Sequence, residues 1–160
     1  MVSSVQSTVV ILNAVATWAM VGVIWIVQLV HYPLLALVGT DRSVDVAVRH
    51  QRAISFVVGP PMAVEGVTSL VLLVSRPDSV PLWMPWAGAV SLGIALLCTV
   101  LLSVPRHARM AAAPDAEVGA ELVRTNWPRT IAWSRPNWAE PRPSLERGEV
   151  MKPGRWIRGP

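Results

Sequence analysis

Charge is what this chain of 160 residues has least of: only 15% of it is Asp, Glu, Lys or Arg, against 52% hydrophobic residues and a mean hydropathy of +0.46. Between Val2 and Thr40 there is no charged side chain at all, and from Val80 to Val104 there is again none. A soluble domain of this size carries closer to a quarter of its residues charged and interrupts its apolar runs. Disorder over the bulk of the chain is excluded for the same reason. Cysteine is nearly missing too. Cys98 stands alone in the second uncharged stretch, so no intramolecular disulfide and no cysteine metal cluster is available to it, and it reads as a small buried apolar residue. Phenylalanine and tyrosine occur once each, whereas tryptophan occurs eight times.

What is present fits a bilayer. Crossing the hydrocarbon core takes about 20 helical residues at about 1.5 Å each. Thr8 to Val30, Ala53 to Ser75 and Val80 to Val104 are all long enough, and backbone groups in lipid oblige each to be helical. Ala14-Val15-Ala16 superficially matches a signal-peptidase site, yet no basic residue precedes it and the apolar run continues, so the segment reads as an anchor. Helix one is expected to bend near Pro33 and stop at Gly39. Helix two is expected to start near Ser43 and to kink or break at Gly59-Pro60-Pro61. The turn-forming Arg76-Pro77-Asp78-Ser79 makes helices two and three antiparallel neighbours.

The net charge of +4 and the pI near 10.6 do not signal nucleic acid, because the arginines flank apolar segments; anionic lipid head groups are the expected partner. Arg42, Arg49, Arg52, Arg106 and Arg109 fall on one side and Arg76 on the other. The positive-inside rule then places the N-terminus outside and the first loop and C-terminal region in the cytoplasm. Trp83 and Trp86 are expected at the outer interface. Past Pro105, Asp115 should cap a short amphipathic helix running toward Asn126, and Pro128 suits the first turn of another. Residues 135–160 hold five prolines, six basic and three acidic residues, which predicts a disordered tail. The expected fold is thus all-α: a transmembrane bundle of three spanning helices with a short cytoplasmic helix, occupying residues 1–134, and the tail beyond.

Residues equidistant from a helical-hairpin turn lie at similar depth. His31 and His50 are each nine or ten positions from the first turn, and His50 and His107 lie 28 and 29 positions from Asp78. All three histidines should meet near the cytoplasmic interface. Histidine binds haem or transition metals and moves protons near neutral pH, but no local metal spacing exists here, and an interfacial histidine bonding lipid phosphate fits the same residues. Glu65 is the sharper signal. A carboxylate inside a membrane helix normally faces the bundle interior and either pairs or titrates. The depth rule gives it Ala16, Thr17 and Ser91 as neighbours, with Asn13 a turn away, and helix packing is the alternative role. Three helices enclose little interior, so a second copy or a partner helix is expected to cover it. Asn126 and Arg129 share a face if their segment is helical, and a guanidinium beside an amide suits a carboxylate or phosphate. Trp18 and Trp25, seven apart, read as packing rather than as a cofactor wall.

Gln28-Leu29-Val30-His31-Tyr32-Pro33-Leu34, Arg49-His50, Gly59-Pro60-Pro61-Met62 with Glu65, Pro105-Arg106-His107, and Thr125-Asn126-Trp127 with Arg129-Thr130 together resemble a family of small bacterial four-helix membrane proteins of unassigned function. That family is loosely similar to anthrone-oxygenase-like membrane proteins. The resemblance spans about Trp18 to Ser134. It implies a multi-pass protein of the bacterial inner membrane and, faintly, a cofactor-poor oxygenase acting on aromatic polyketides. The chain departs from the pattern where Arg135-Pro136 opens a polar tail in place of a continuing fourth helix. The functional expectation is a membrane-embedded, redox or oxygenase-like site for a lipophilic small molecule near the cytoplasmic face. Glu65 and His50 are the candidate catalytic groups, His31, His50 and His107 the candidate haem or metal ligands, and Asn126 and Arg129 the candidate substrate contacts. The alternative is a non-catalytic membrane subunit or assembly factor.

Overall fold

The computed structural model describes residues 4–115 and 117–134, and the expected disordered tail lies outside them. Five helices account for nearly all of the described chain: α1 (Ser4–Leu35), α2 (Ser43–Val74), α3 (Trp83–Ala112), α4 (Val118–Thr125) and α5 (Trp127–Ser134). The first three are 32, 32 and 30 residues long, about 45 Å each at helical rise, and are apolar enough to cross a membrane. Their outward faces confirm the solvent they are built for. Phe56 is 77% exposed, Leu70 65% and Trp18 61%, so the surface is as apolar as the interior, as for helices facing lipid rather than water. By the length and composition of these helices, the chain is a multi-pass integral membrane protein.

Two of the long helices widen at matching places. In α1 the segment Val27–His31 is π-helical, with the Tyr32 amide bonding to the Val27 carbonyl; in α3 the segment Thr99–Ser103 is π-helical, with the Val104 amide bonding to Thr99. Each precedes a proline by two residues, Pro33 and Pro105. Proline lacks the amide that would meet the carbonyl four residues back, and its ring crowds that carbonyl. One wider turn relieves the clash without ending the helix. The third helix therefore runs past Val104, where its apolar segment ends in the sequence, and continues to Ala112. Nor is α2 broken at Pro60-Pro61, where the helix runs on without interruption. The third helix also begins later than its apolar run, at Trp83, because Val80 and Pro81 belong to the turn that precedes it.

α4 caps the arginine-rich end. Asp115 Oδ1 accepts from the backbone amides of Glu117 and Val118 at 3.1 and 3.2 Å, the capping role its position predicts. Its other oxygen meets Arg109 at 2.6 Å, and Glu121 bridges Arg106 and Arg109 at 3.1 Å each. Desolvation acts upward on the Asp115 carboxyl, but Arg109 and the two amides hold it below the usual carboxylate range. α4 also sits very close to the end of α1: a Cβ on Gly119 would fall 2.7 Å from the Ala36 Cα.

What the sequence does not anticipate is the placement of α5: the short helix that Pro128 opens turns back between α1 and α3, occupying part of the place of a fourth helix. Ala132 and Trp133 join Met20, Ile24, Leu92 and Ala95 in one buried cluster, while Tyr32, Leu35, Ala47, Met110, Val118 and Leu122 form another at the arginine-rich end. Trp25 anchors α5 from α1, its indole donating to Ser134 Oγ at 2.8 Å and its ring meeting Trp127 edge-on at 6.1 Å.

Candidate functional site

The π-helical turns set the site. The one in α1 turns Gln28 inward and leads directly into Tyr32, both buried; the one in α3 presents Thr99 and Ser103. Gln28 organises the entry of α5. Its Nε2 donates to the Val123 carbonyl at 3.0 Å, and its Oε1 accepts from Asn126 Nδ2 at 2.8 Å and Thr130 Oγ1 at 3.2 Å. All three residues are almost fully buried. The amide of Asn126 is thereby committed to joining helices, and Asn126 does not line the cavity described below.

The three histidines do converge. His31 Nε2 and His50 Nδ1 are 2.8 Å apart, and the ring centroids of His31–His50 and His50–His107 are separated by 4.4 and 5.1 Å. His107 Nε2 lies 3.1 Å from the Tyr32 hydroxyl, which also accepts from Arg129 at 3.3 Å. Hydrogen-bonding nitrogens therefore face one another rather than a common point. Among the described residues no group of three or more His, Cys, Asp or Glu side chains is arranged to hold a metal ion. The geometry is that of a stacked row of rings holding two hydrogen-bonded pairs, His31–His50 and His107–Tyr32, with His50 and His107 adjacent but not bonded to each other. Two of its atoms, His50 Nε2 and His107 Nδ1, are buried without a protein partner, an unusual state for buried polar atoms.

Glu65 sits deeper in the bundle and is only 2% exposed. Its Oε1 accepts from Thr17 Oγ1 at 2.8 Å, as the depth rule anticipates, and Asn13 Nδ2 bonds Thr68 and Ser69 just beyond, at 2.9 and 3.0 Å. The second carboxylate oxygen accepts from Trp133 Nε1 at 3.1 Å. No sequence rule points to Trp133, because its segment is only eight residues long and lies next to a polar stretch. It also answers the question of cover: α5 of the same chain closes over Glu65, so no second copy is needed for that purpose.

Between α2 and α3, with α1 and α5 behind, lies a cavity of about 200 Å³. Met20, Ile24, Val58 and Met62 are among its apolar walls; Tyr32, Thr99, His107 and Arg129 form its polar end, and Trp133 closes the side toward Glu65. The remaining members of the histidine row, His31 and His50, stand behind His107 and do not line it. Comparison with known proteins returns no match of any kind, neither a family model nor a curated protein nor a solved structure. What is established is a small multi-helix protein with three membrane-length apolar helices.

Proposed function

We propose that this membrane protein holds a lipophilic small molecule in the cavity between α2 and α3 and exchanges protons with it through His107, Tyr32 and the histidines behind them. The observation that carries the reading is the union of apolar walls with one polar end formed by His107, Tyr32, Thr99 and Arg129. Ligand pockets have this build, mostly apolar with a few converging polar groups. Histidine is the side chain that gives and takes protons near neutral pH, and the contact between His31 and His50 extends the row toward the half-buried His31. Arg129 and the Tyr32 hydroxyl orient the polar part of the ligand. Redox or oxygenase-like conversion of that molecule, the finer form suggested by the family resemblance, would take its oxidant from outside the chain; the residues here supply proton transfer only.

The arginines support an orientation with the N-terminus outside and the polar end of the cavity toward the cytoplasm, and the resemblance implies an inner membrane. A second reading, a non-catalytic subunit or assembly factor, draws on the Gln28–Asn126–Thr130 and Glu65–Thr17–Trp133 networks, which act as interhelical fasteners. The two readings separate on the double substitution of His50→Gln and His107→Gln, scored in a strain lacking the chromosomal gene. Glutamine retains hydrogen bonding but does not titrate. Normal abundance with lost complementation is the expected result; full complementation at normal abundance overturns proton exchange and favours the structural subunit. A visible and metal spectrum of the purified protein then distinguishes a haem- or metal-bearing site, which gives a Soret band or stoichiometric metal, from a cofactor-free one.

A further inference from the structure

Arg129 is 9% exposed, and a guanidinium keeps its charge at any ordinary pH. Among the described residues it has no carboxylate partner. Its contacts are two hydroxyls, Thr99 Oγ1 and Tyr32 Oη, each at 3.3 Å, and the Trp133 ring with centroid 6.0 Å away. Among the described residues Nε has no partner. Glu65, the one buried acid among the described residues, has both oxygens bonded by Thr17 and Trp133. The result is a buried cation lining a cavity, with two of its five N–H groups engaged and, among the described residues, no counter-charge. A charge in that position is costly unless something of opposite sign completes it.

Resting on the reading of the cavity as a ligand site, we propose that the ligand is a lipophilic monocarboxylate whose head group pairs with Arg129 and whose apolar body leaves the protein between α2 and α3. Each terminal nitrogen of Arg129 keeps one N–H beyond its bond to Thr99 or Tyr32, and two such donors in the guanidinium plane match two carboxylate oxygens. A phosphate has the same oxygens but carries more charge into a cavity whose other walls are Met20, Ile24, Val58 and Met62, and its desolvation is correspondingly dearer. Size points the same way. Pockets that enclose a whole ligand run to roughly 300–1,000 Å³, and this cavity of about 200 Å³ has room for a head group and the first part of a chain. The rest extends into the lipid that bathes the exposed faces of α2 and α3, which is where an amphiphile arrives from.

The test is equilibrium binding of radiolabelled decanoate, methyl decanoate and decyl phosphate to the full chain in nanodiscs, with empty nanodiscs subtracted. Decanoate should bind at least tenfold more tightly than its ester. Arg129→Gln should abolish that preference at unchanged abundance. Should that variant fail to fold, Met62→Trp, which fills the cavity and leaves Arg129 in place, should reduce decanoate binding at least tenfold. Equal binding of acid and ester, tighter binding of decyl phosphate, or decanoate binding untouched by Met62→Trp overturns the proposal. Because the readout is binding rather than phenotype, such a result is separate from failure of the histidine row to move protons.

Discussion

The two hydrogen-bond partners of Glu65 differ in kind, and that difference makes its role measurable. Thr17 carries a hydroxyl that can donate or accept, whereas the Trp133 indole only donates. In Glu65→Gln the amide oxygen can accept from Trp133 while the amide nitrogen donates to a rotated Thr17 hydroxyl, so both contacts survive. In Glu65→Ala both partners lose theirs. A buried polar group left unsatisfied costs about 1–3 kcal/mol, although interhelical bonds within membranes average nearer 0.6 kcal/mol. Thermal denaturation in detergent should therefore show the Gln variant close to the parent and the Ala variant lower by about 1–2 kcal/mol. Complementation adds the functional half: loss of phenotype in a stable Gln variant marks Glu65 as a proton carrier, and full activity in it confines the residue to packing. Glu65 and Thr17 were legible in the sequence because a lone carboxylate in an apolar helix needs a partner at its own depth. Arg129 is found by a different route, as a guanidinium sharing a helix face with the amide of Asn126. Trp133 is not, since tryptophan at a membrane boundary has a sufficient reason to be there without a partner.

Helices, unlike side chains, are read mainly from the absence of charge, and the differences fall at proline: the sequence reading ends the third segment at Val104, just before Pro105, and a break is among the readings of Gly59-Pro60-Pro61. In lipid a helix that ends leaves carbonyls with no water to receive them, so α1 and α3 absorb Pro33 and Pro105 in a wider turn and α2 carries Pro60-Pro61 unbroken. The hairpin depth rule survives because these adjustments leave the helices continuous, and the histidines meet as a result. The position of α5 was not legible for a different reason: its eight residues have too few turns for periodicity to show which face is buried. Its placement depends on α4, whose Val123 carbonyl receives Gln28, and α4 in turn depends on a close approach. At Gly119 an added Cβ would meet Ala36 backbone and Cβ at 2.7 and 2.8 Å, neither of which can swing aside. Gly119→Ala should push α4 from the end of α1 and lower stability by about 1–3 kcal/mol, the usual cost of overpacking. The control is Gly66→Ala, where nothing lies within 4 Å and the gain in helix propensity should leave the denaturation midpoint unchanged or higher. Equal midpoints for the two variants would mean that α4 does not bear on α1 in the membrane.

At the scale of the whole molecule, α5 divides two views of the chain: three spans with a short helix folded back among them, or four spans with the last one entering here. α5 starts at Trp127, against Trp25 near the histidine level, and reaches Glu65 by Trp133. It has thus re-entered the bundle to the depth of Thr17 before the described residues end. A helix that stops at that depth must have its last carbonyls met by protein, water or further helix. Residues 135–160, with six basic and three acidic side chains, make a poor spanning segment, since each charge near a bilayer centre costs about 2.5–3.5 kcal/mol on the insertion scale. The sequence therefore favours a chain that returns to the side from which α5 entered. Reporter fusions resolve this. Fusions after Arg42 and after Pro160 should both report the cytoplasm and one after Asp78 the outside, as five arginines against one require. If Arg42 and Pro160 report opposite sides, α5 is the start of a true fourth span, and the polar tail crosses or emerges on the outside. If all three report the reverse of these locations while Arg42 and Pro160 still agree, the three-span count stands but the arginine rule fails for this chain, and the cavity opens toward the other face.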